Sequence, residues 1–486
     1  MKYLIILFVL TISVNNLFGQ NQGNIWYFGN HAGLDFSTGA PVSISDGETY
    51  NESIQNHSEG TSVIADSSGN LLFYTNGEEI WNRNHQVMPN GDNLLGHLSS
   101  TQTLIVPMPQ NTNLFYVFTT DAFYQSELRN GLRYSVVDIC QDNGSGDVLL
   151  NEKNILLIDT VAEKLTAVRH SNGIDYWVIT HKYNSDAFYS YLLTSVGISD
   201  TVITHVGSVH KDYCSATTSP VKAALGQLKA SPDGSKIVCV NGQGCNNISE
   251  LFDFDNSTGI ISNMLNLYTD NIAVGLYGAT FSPDNSKIYI SSFINNYKIY
   301  QYDLSSSVPS TIVNSKTVVA NHAGGPWYMG MQLAPDGKIY IAIRNQSSIA
   351  VINNPNLAGT SCNIIEAAIS LNGSFCSLGL PNFIDNFDYS NTSSDCVTGI
   401  NDEKKLMGIH IFPNPMSETS IIQFDNSNNT PHTILIFNSY GEIVQTFSNV
   451  TDNQVTLDKH NMPNGLYLIQ LKTEEEVSTT FKLIIK

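Results

Sequence analysis

Charged side chains are scarce in this chain, and basic ones are scarcer than acidic ones. Only 14% of the 486 residues are charged, and 43 acidic against 23 basic side chains give a formal net charge of −20. A surface this acidic repels the phosphate backbone of nucleic acids. We therefore expect no nucleic-acid partner, and we interpret the acidic surface as a source of solubility, with divalent-cation binding as the alternative.

Long hydrophobic runs are absent after the first twenty residues. The chain opens with one basic residue, Lys2, then an apolar run over 3–12 and a small-residue cleavage site ending at Gly19. This order is typical of a secretory signal peptide, and the run is shorter than the ~18 apolar residues that span a bilayer. We predict a signal peptide over residues 1–19 and no transmembrane segment. Gln20, where a lipid anchor needs Cys, argues against a lipidated form.

Cysteine is also sparse, and its seven copies include no Cys-x-x-Cys pair. An exported chain can oxidise its thiols, but an odd number leaves at least one unpaired. Two pairs lie close enough in sequence to be candidates for local disulfides, Cys239 with Cys245 and Cys362 with Cys376, and the full pairing stays open. Because no His stands at zinc-finger spacing either, we assign no metal-binding residues.

Motifs of the common enzyme classes are missing as well. There is no Gly-x-Ser-x-Gly and no glycine-rich phosphate loop. His57 and Glu59 precede a predicted strand, with His85 and His97 downstream, but their spacing matches no metal or acid–base site, so solvated or capping roles are favoured. The segment 142–147 lacks the full calcium-loop pattern and predicts a plain turn. We assign no catalytic residue and no cofactor, with calcium as the alternative.

The chain does contain one short pattern three times. The copies are Pro232-Asp233-Gly234, Pro283-Asp284-Asn285 and Pro335-Asp336-Gly337, each followed by a β-rich run. Pro presets φ for a turn, Asp can hydrogen-bond the backbone beyond it, and Gly or Asn tolerates the left-handed conformation. We predict that these nine residues form structural turns. Three or four strands in each repeat of about 50 residues is the spacing of β-propeller blades.

The three copies resemble the Ser-Pro-Asp-Gly blades of propellers in secreted and periplasmic bacterial proteins. The stretch from Trp26 to Phe387 also resembles an N-terminal propeller region of large secreted Bacteroidota proteins, in phrases such as Gly69–Tyr74 and Leu132–Asp138. This resemblance implies a fold but no reaction. We predict an all-β chain with a β-propeller over residues 20–388, of seven blades, with six or eight as alternatives. The strands from Trp26 and the stretch 379–383 would together form the blade that closes the ring.

The composition changes after the propeller. Residues 389–408 are rich in Ser, Thr, Asn and Asp and are predicted to be a linker, whereas the short strands of 409–486 predict a small β-sandwich. This tail resembles the type A C-terminal sorting domain of Bacteroidota type IX secretion, and its motif residues are Pro413, Asn414, Pro415, Gly441, Gly465 and Tyr467. The resemblance implies export through the outer membrane, with the type IX machinery as a partner and a secreted or cell-surface location.

The loop from His322 to Tyr328 is the candidate ligand site. It precedes a strand that the repeat places innermost, so it should open onto one face of the ring, where Trp327 and Tyr328 can stack on a sugar or an apolar side chain. Packing of these aromatics between blades is the structural alternative. We predict His322, Trp327 and Tyr328 as ligand-binding residues of a binding or adhesion protein whose ligand is a glycan or a protein. The alternative is a propeller enzyme, a glycan hydrolase or lactonase-like, with its site at the central channel.

Overall fold

Antiparallel β-strands are the main regular structure of the described chain, and the only α-helices among its residues are α1 (Gln141–Gly144) and α2 (Pro309–Asn314). The computed structural model describes residues 21–49, 58–123, 127–211, 223–242, 248–268, 275–293, 297–322, 325, 327–385 and, with breaks at 425, 427–428, 439, 461 and 473–476, 410–486. The chain divides into two units, Met1–Val397 and Thr398–Lys486. None of the described helices has the length and apolar character needed to cross a membrane. The predicted signal peptide and linker lie outside the described residues.

Seven sheets follow one another along the described part of the first unit. Sheet 1 contains β1 (Ile25–Phe28), β2 (Ala32–Asp35) and β3 (Val42–Ile44), and sheet 2 contains β4 (Ser62–Ala65), β5 (Leu71–Thr75) and β6 (Ile80–Asn82). Sheet 3 contains β7 (Thr103–Pro107), β8 (Leu114–Thr120), β9 (Leu132–Asp138), β10 (Asp147–Val148) and β11 (Ile155–Ile158), and its last two strands both pair with β9.

The remaining four sheets are four-stranded meanders, in which each strand pairs with the next along the chain. Sheet 4 contains β12 (Val161–Arg169), β13 (Tyr176–Lys182), β14 (Ala187–Thr194) and β15 (Gly197–His205). Sheet 5 contains β16 (Leu228–Ala230), β17 (Lys236–Asn241), β18 (Ile248–Asp255) and β19 (Ile260–Asn266). Sheet 6 contains β20 (Leu276–Phe281), β21 (Lys287–Ser292), β22 (Lys298–Asp303) and β23 (Thr317–Asn321). Sheet 7 contains β24 (Tyr328–Leu333), β25 (Ile339–Ile343), β26 (Ser348–Ile352) and β27 (Ile364–Ser370).

The repeated turns join the first and second strands of sheets 5, 6 and 7. Gly234, Asn285 and Gly337 have φ values of 70°, 62° and 73°, which only Gly and Asn adopt readily. In each copy the Asp carboxylate accepts a hydrogen bond from the backbone N–H two residues on, at 3.0 Å, 3.0 Å and 3.1 Å. The same short-range chemistry therefore starts three successive sheets.

The sheets return to their starting point. The first strand of each sheet packs against the first strand of the next, from β1 through β4, β7, β12, β16 and β20 to β24. Sheet 7 in turn packs against sheet 1, where the rings of Trp26 and Tyr340 lie 5.4 Å apart and Asn30 forms a β-bridge with Phe375. Because each sheet is covered on both faces, a strand such as β7 is buried along its whole length.

The second unit consists of two sheets in its described residues. One contains β28 (His410–Phe412), β29 (Thr419–Gln423) and β32 (Gln454–Asp458), and the other contains β30 (His432–Phe437), β31 (Ile443–Val450), β33 (Gly465–Lys472) and β34 (Val477–Ile485). Alternate residues of β30 are buried in one apolar core that includes Met416, Ile422, Tyr467 and Leu483. Asn414 lies in the predicted motif and links it to the last strand, donating to the Lys482 carbonyl and accepting from the Ile484 N–H.

Neither candidate local disulfide forms, because Cys239, Cys362 and Cys376 are free and buried. Cys362 packs between sheets 6 and 7, whereas Cys376 packs in the core shared by sheets 7 and 1, so the two thiols lie in different cores. Cys239 packs in the core between sheets 4 and 5. Proximity in sequence therefore does not bring these side chains together. Cys140 is disulfide-bonded.

Candidate functional site

The described residues of the predicted ligand loop, 322–328, have different surroundings. Tyr328 is buried in the core between sheets 6 and 7, and its hydroxyl donates to the Glu366 carboxylate. His322 Nδ1 lies 2.8 Å from the other oxygen of Glu366. Tyr328 thus has the surroundings expected of an aromatic packed between blades, and His322 lies beside it at the rim of the same interface.

Trp327 is only partly buried and packs against a different apolar core, which includes Tyr277 and Phe293. Its indole lies 5.5 Å from the ring of Phe293, and the Arg344 guanidinium sits 4.2 Å above its ring centre. Arg344 directly follows β25, whose partner β24 begins just after Trp327. The indole and the guanidinium therefore form a cation–π pair at the end of the ring where the first strands begin.

Two acidic residues lie at this same end. Glu59 precedes β4, and Glu163 lies near the start of β12, while Tyr277 lies near the start of β20. First strands that begin at one end of a ring bring the residues at their starts together. We call the group of Glu59, Glu163, Tyr277, Trp327 and Arg344 the channel mouth.

Glu59 is almost fully buried and bonded to a phenol. Its carboxyl accepts hydrogen bonds from the Tyr277 hydroxyl and from Ser99 Oγ, the latter at 3.5 Å. Burial and then repulsion by Glu163 raise the pKa of Glu59 well above its usual range, although both hydrogen bonds oppose the shift. The channel mouth therefore holds a carboxyl group whose neutral form is favoured by its surroundings.

Glu163 is the second buried carboxyl of the channel mouth. It accepts from the Thr101 N–H at 3.0 Å, from Thr101 Oγ1 at 2.9 Å and from the Phe123 N–H at 2.8 Å. Burial raises the pKa of Glu163 to about 7, against the effect of these three donors. A carboxyl that titrates near neutral pH is suited to proton transfer.

Arg344 is the cation of the channel mouth. Burial lowers its pKa, and the negative charge of Glu59 opposes that shift. Its Nε is buried without a hydrogen-bond partner among the described residues. Within that part of the chain its guanidinium makes no hydrogen bond or ion pair, and it packs on the ring of Trp327.

The segment 378–385, which we call the central segment, fills the middle of the ring. The prediction that 379–383 would complete the blade begun by the strands from Trp26 is wrong, because none of these residues lies in a strand. A Cβ added to Gly379 would lie 1.9 Å from the Glu59 carbonyl oxygen, so the segment enters in close contact with the channel mouth. Further along, Asp385 accepts from Gln332 Nε2 at 2.8 Å and lies 3.8 Å from Lys229 Nζ.

Asn382 is the centre of this arrangement. Its amide nitrogen donates to the carbonyls of Thr103 and Leu165, and its oxygen accepts from Lys229 Nζ at 2.9 Å and Gln102 Nε2 at 3.3 Å. First strands have no neighbouring strand on the side of the ring centre, and these side chains satisfy their backbone groups instead. The centre of the ring is therefore occupied by protein side chains.

A second buried polar group lies between sheets 4 and 5. The imidazoles of His181 and His210 stack, with ring centres 3.8 Å apart. His210 Nε2 lies 3.3 Å from Glu250, whereas neither nitrogen of His181 makes a hydrogen bond of ordinary geometry with described residues. Burial lowers the pKa of both histidines well below its usual range and raises the pKa of the neighbouring Cys239 thiol to about 12. These fully buried, neutral groups have a structural role.

His181→Phe is expected to stabilise the protein, and more so as the pH falls below about 6.5. The unfolded chain protonates its histidine below that pH, whereas the folded chain keeps His181 neutral. Below pH 6.5 the wild-type free energy of unfolding therefore falls relative to that of the variant by up to about 1.4 kcal/mol per pH unit. Above pH 6.5 the difference in free energy of unfolding between the two proteins is constant. Urea unfolding from pH 5 to 8 measures it. Ile179→Val, on the same strand and core face, should lower the free energy of unfolding by the same amount at every pH. A His181→Phe advantage that grows with rising pH would contradict a buried neutral imidazole.

The other residues singled out from the sequence do not join the channel mouth. His57 lies outside the described residues. His85 lies between Tyr74 and Asp46, with its Nδ1 3.0 Å from the phenol oxygen. His97 accepts from the Ser99 N–H and lies 4.0 Å from Glu78. Within the described ranges, no three His, Cys, Asp or Glu side chains form a group that could hold a metal ion.

Sequence reasoning selected Trp327 as a ligand-binding residue and missed Glu163, Tyr277 and Arg344. It favoured a solvated or capping role for Glu59, which is instead buried. Glu163 carried a usable signal, since it stands with Lys164 in a mostly apolar strand whose residues from 161 to 168 are all buried. Charged residues are almost never fully buried unless paired, so such a pair in a core strand indicates a special role. Arg344 gives no comparable signal, because a single Arg after a strand is ordinary.

One family matches part of the chain. Residues 410–486 match the secretion system C-terminal sorting domain. This domain indicates export to the cell surface or secretion, and it implies an interaction with the secretion machinery. No curated protein matches the chain.

Solved structures similar to the chain share little sequence with it. A putative 6-phosphogluconolactonase from Bacteroides fragilis has 13% identity and a TM-score of 0.43 over 74% of this chain and 97% of its own. The periplasmic gluconolactonase PpgL of Pseudomonas aeruginosa has 10% identity and a TM-score of 0.37 over 84% and 95%. The β-propeller domain of Myceliophteria thermophila Cps50 (Swd1) has 11% identity and a TM-score of 0.37 over 66% and 94%. At these values the likeness assigns no activity.

Proposed function

We propose that the chain is an exported binding or adhesion protein, in which a seven-bladed β-propeller presents a glycan or protein ligand site. The seven consecutive sheets and the contact of sheet 7 with sheet 1 support this architecture. The two sheets of the second unit share one core, which supports a β-sandwich. The domain limits that go with this proposal are a signal peptide over 1–19, the propeller over 20–388, a linker over 389–408 and the sorting domain over 409–486.

The observation that carries the binding role is the pairing of Trp327 and Arg344 at the channel mouth. An aromatic ring and a guanidinium that are both partly exposed supply apolar contact area and charged donors at one place. Trp and Arg are the residues most enriched among those that dominate binding energy. His322 and Tyr328 lie outside this pairing, because the Glu366 carboxylate joins them at the interface between sheets 6 and 7.

Trp327→Ala is expected to weaken ligand binding by about 1–3 kcal/mol, because an anchor of this type loses its contact area. Glycan and matrix-protein arrays, run on the purified protein with and without calcium, identify the ligand, and calorimetric titration of that ligand measures the loss. The matched control is Tyr328→Phe, which removes one buried hydroxyl bonded to Glu366. We expect it to lower stability by about 1 kcal/mol and to leave affinity unchanged. Unchanged affinity of folded Trp327→Ala would contradict the site.

The two buried carboxyls favour one alternative, a propeller enzyme acting on a glycan or a lactone at the channel mouth. Glu163, with a pKa raised to about 7, would serve as acid or base. The same preparation incubated with a glycan and lactone panel decides between the two functions. Steady product release that Glu163→Gln abolishes would replace the binding proposal.

A further inference from the structure

Arg344 is a partly buried cation of the described ring whose guanidinium is free to bind a ligand. Lys229 contacts Asn382 and Gln332, and Lys164 donates to three backbone carbonyls. Arg133 and Arg169 likewise donate to backbone carbonyls. Arg344 is half-buried against Trp327, and within the described residues its five N–H donors have no acceptor.

Glu59 does not accept a hydrogen bond from Arg344. Its two oxygens already accept from Tyr277 and Ser99. Burial also favours the neutral form of Glu59. The positive charge of Arg344 is therefore not cancelled by a bonded partner, even though Glu59 adds a longer-range attraction.

We infer that the channel mouth binds an acidic glycan, with Arg344 holding the carboxylate of a sugar residue and Trp327 contacting its ring. This inference rests on the proposed function and specifies its ligand. The planar fork of a guanidinium matches a carboxylate with two parallel hydrogen bonds, and an indole contacts the C–H face of a sugar. In a chain of net charge −20, an anionic ligand depends on such a local cation.

The test is calorimetric titration of the full-length protein with three uronate oligosaccharides, namely oligogalacturonate, oligomannuronate and hyaluronan fragments. Each is compared with its methyl ester, which is neutral but otherwise matched, and with a sulfated carrageenan oligosaccharide. We expect at least one uronate to bind at least about tenfold more tightly than its ester and than the sulfated sugar, with affinity falling as salt rises.

Variants assign the effect to Arg344. Arg344→Gln should weaken uronate binding about 10- to 100-fold and remove its salt dependence, and Arg344→Lys should restore part of the affinity. The matched control is Arg83→Gln, which is exposed and follows the third strand of sheet 2, at the end of the ring opposite the channel mouth. It should leave binding unchanged. If Arg344→Gln does not fold, the ester comparison and Arg344→Lys decide.

Three results would overturn the inference. Uronates that bind no better than their esters exclude carboxylate recognition. Preferential binding of the sulfated sugar makes the site a sulfate site. A neutral glycan or a protein whose binding depends on Trp327 but not on Arg344 also overturns it, while leaving the proposed binding function intact. If no uronate, sulfated sugar, neutral glycan or protein binds at the channel mouth, both the inference and the proposed binding function are overturned.

Discussion

Replacing Asn382 with leucine is expected to lower the free energy of unfolding of the ring by about 3–5 kcal/mol. The wild-type side chain donates to Thr103 and Leu165 and accepts from Gln102 and Lys229, all of them buried. Leucine fits the space but leaves four buried polar groups without this partner, each worth about 1–3 kcal/mol before relaxation. The ammonium of Lys229 contributes most to this loss of stability, since a buried charge that loses a partner is strongly destabilising. Urea unfolding followed by tryptophan fluorescence measures the loss.

Two comparisons make this measurement specific. Asn84→Leu introduces the same side chain at an exposed position and should change stability by less than about 0.5 kcal/mol. Asn382→Asp keeps an acceptor for Lys229 but removes both donors. Its free energy of unfolding should therefore lie between those of wild type and Asn382→Leu. A loss below about 1 kcal/mol for Asn382→Leu, with an unchanged denaturant slope, would show that the central segment does not hold the first strands together.

The second large effect concerns export, and we expect it to be all or none. A fusion of residues 1–19 and 409–486 to an inert periplasmic reporter should reach the cell surface or the medium in a type IX-competent host. The reporter contributes no contact with the secretion machinery, so any export depends on the sorting domain. Fractionation of cells and medium measures it.

The matched control for this fusion shortens the tail by its last six residues. Residues 481–486 include Leu483 and Ile485, which lie in the core of the second unit, and Leu483 pairs with Tyr467 across the sheet. Their removal exposes that core and should leave the reporter in the periplasm. Retention of the full fusion, in a host that exports a known sorting domain, would overturn the assignment.

Local chemistry made part of this structure readable from the sequence. The three Pro-Asp turns depend on residues within five positions of one another, so their spacing predicted consecutive hairpins, and the hairpins are present. The tail was readable for the same reason, because its motif residues lie in short phrases. The count of seven blades stays a prediction, supported by the seven described sheets.

The channel mouth could be predicted only in part, because its contacts join distant parts of the chain. Thr101 and Glu163 are 62 positions apart, and Glu59 and Tyr277 are 218 apart. The alternation of apolar and polar residues within a strand does not predict contacts between such distant residues. Neighbouring residues also diverge: Trp327 and Tyr328 looked equivalent as aromatics in one loop, yet successive side chains of an extended backbone point to opposite sides. One therefore reaches the channel mouth and the other the core between sheets 6 and 7.

The contact of the central segment with the earliest sheets has a consequence for the timing of folding. Ser62 donates to the carbonyl of Asn382, a partner 320 positions later. At ~5–20 residues per second, synthesis separates these two residues by tens of seconds. Until Asn382 is available, the first strands of sheets 2 and 3 lack the groups that satisfy their inner edges. Structures dominated by such distant contacts fold slowly. Because the sorting domain indicates export, this delay favours an incompletely folded ring until residue 382 has been synthesised.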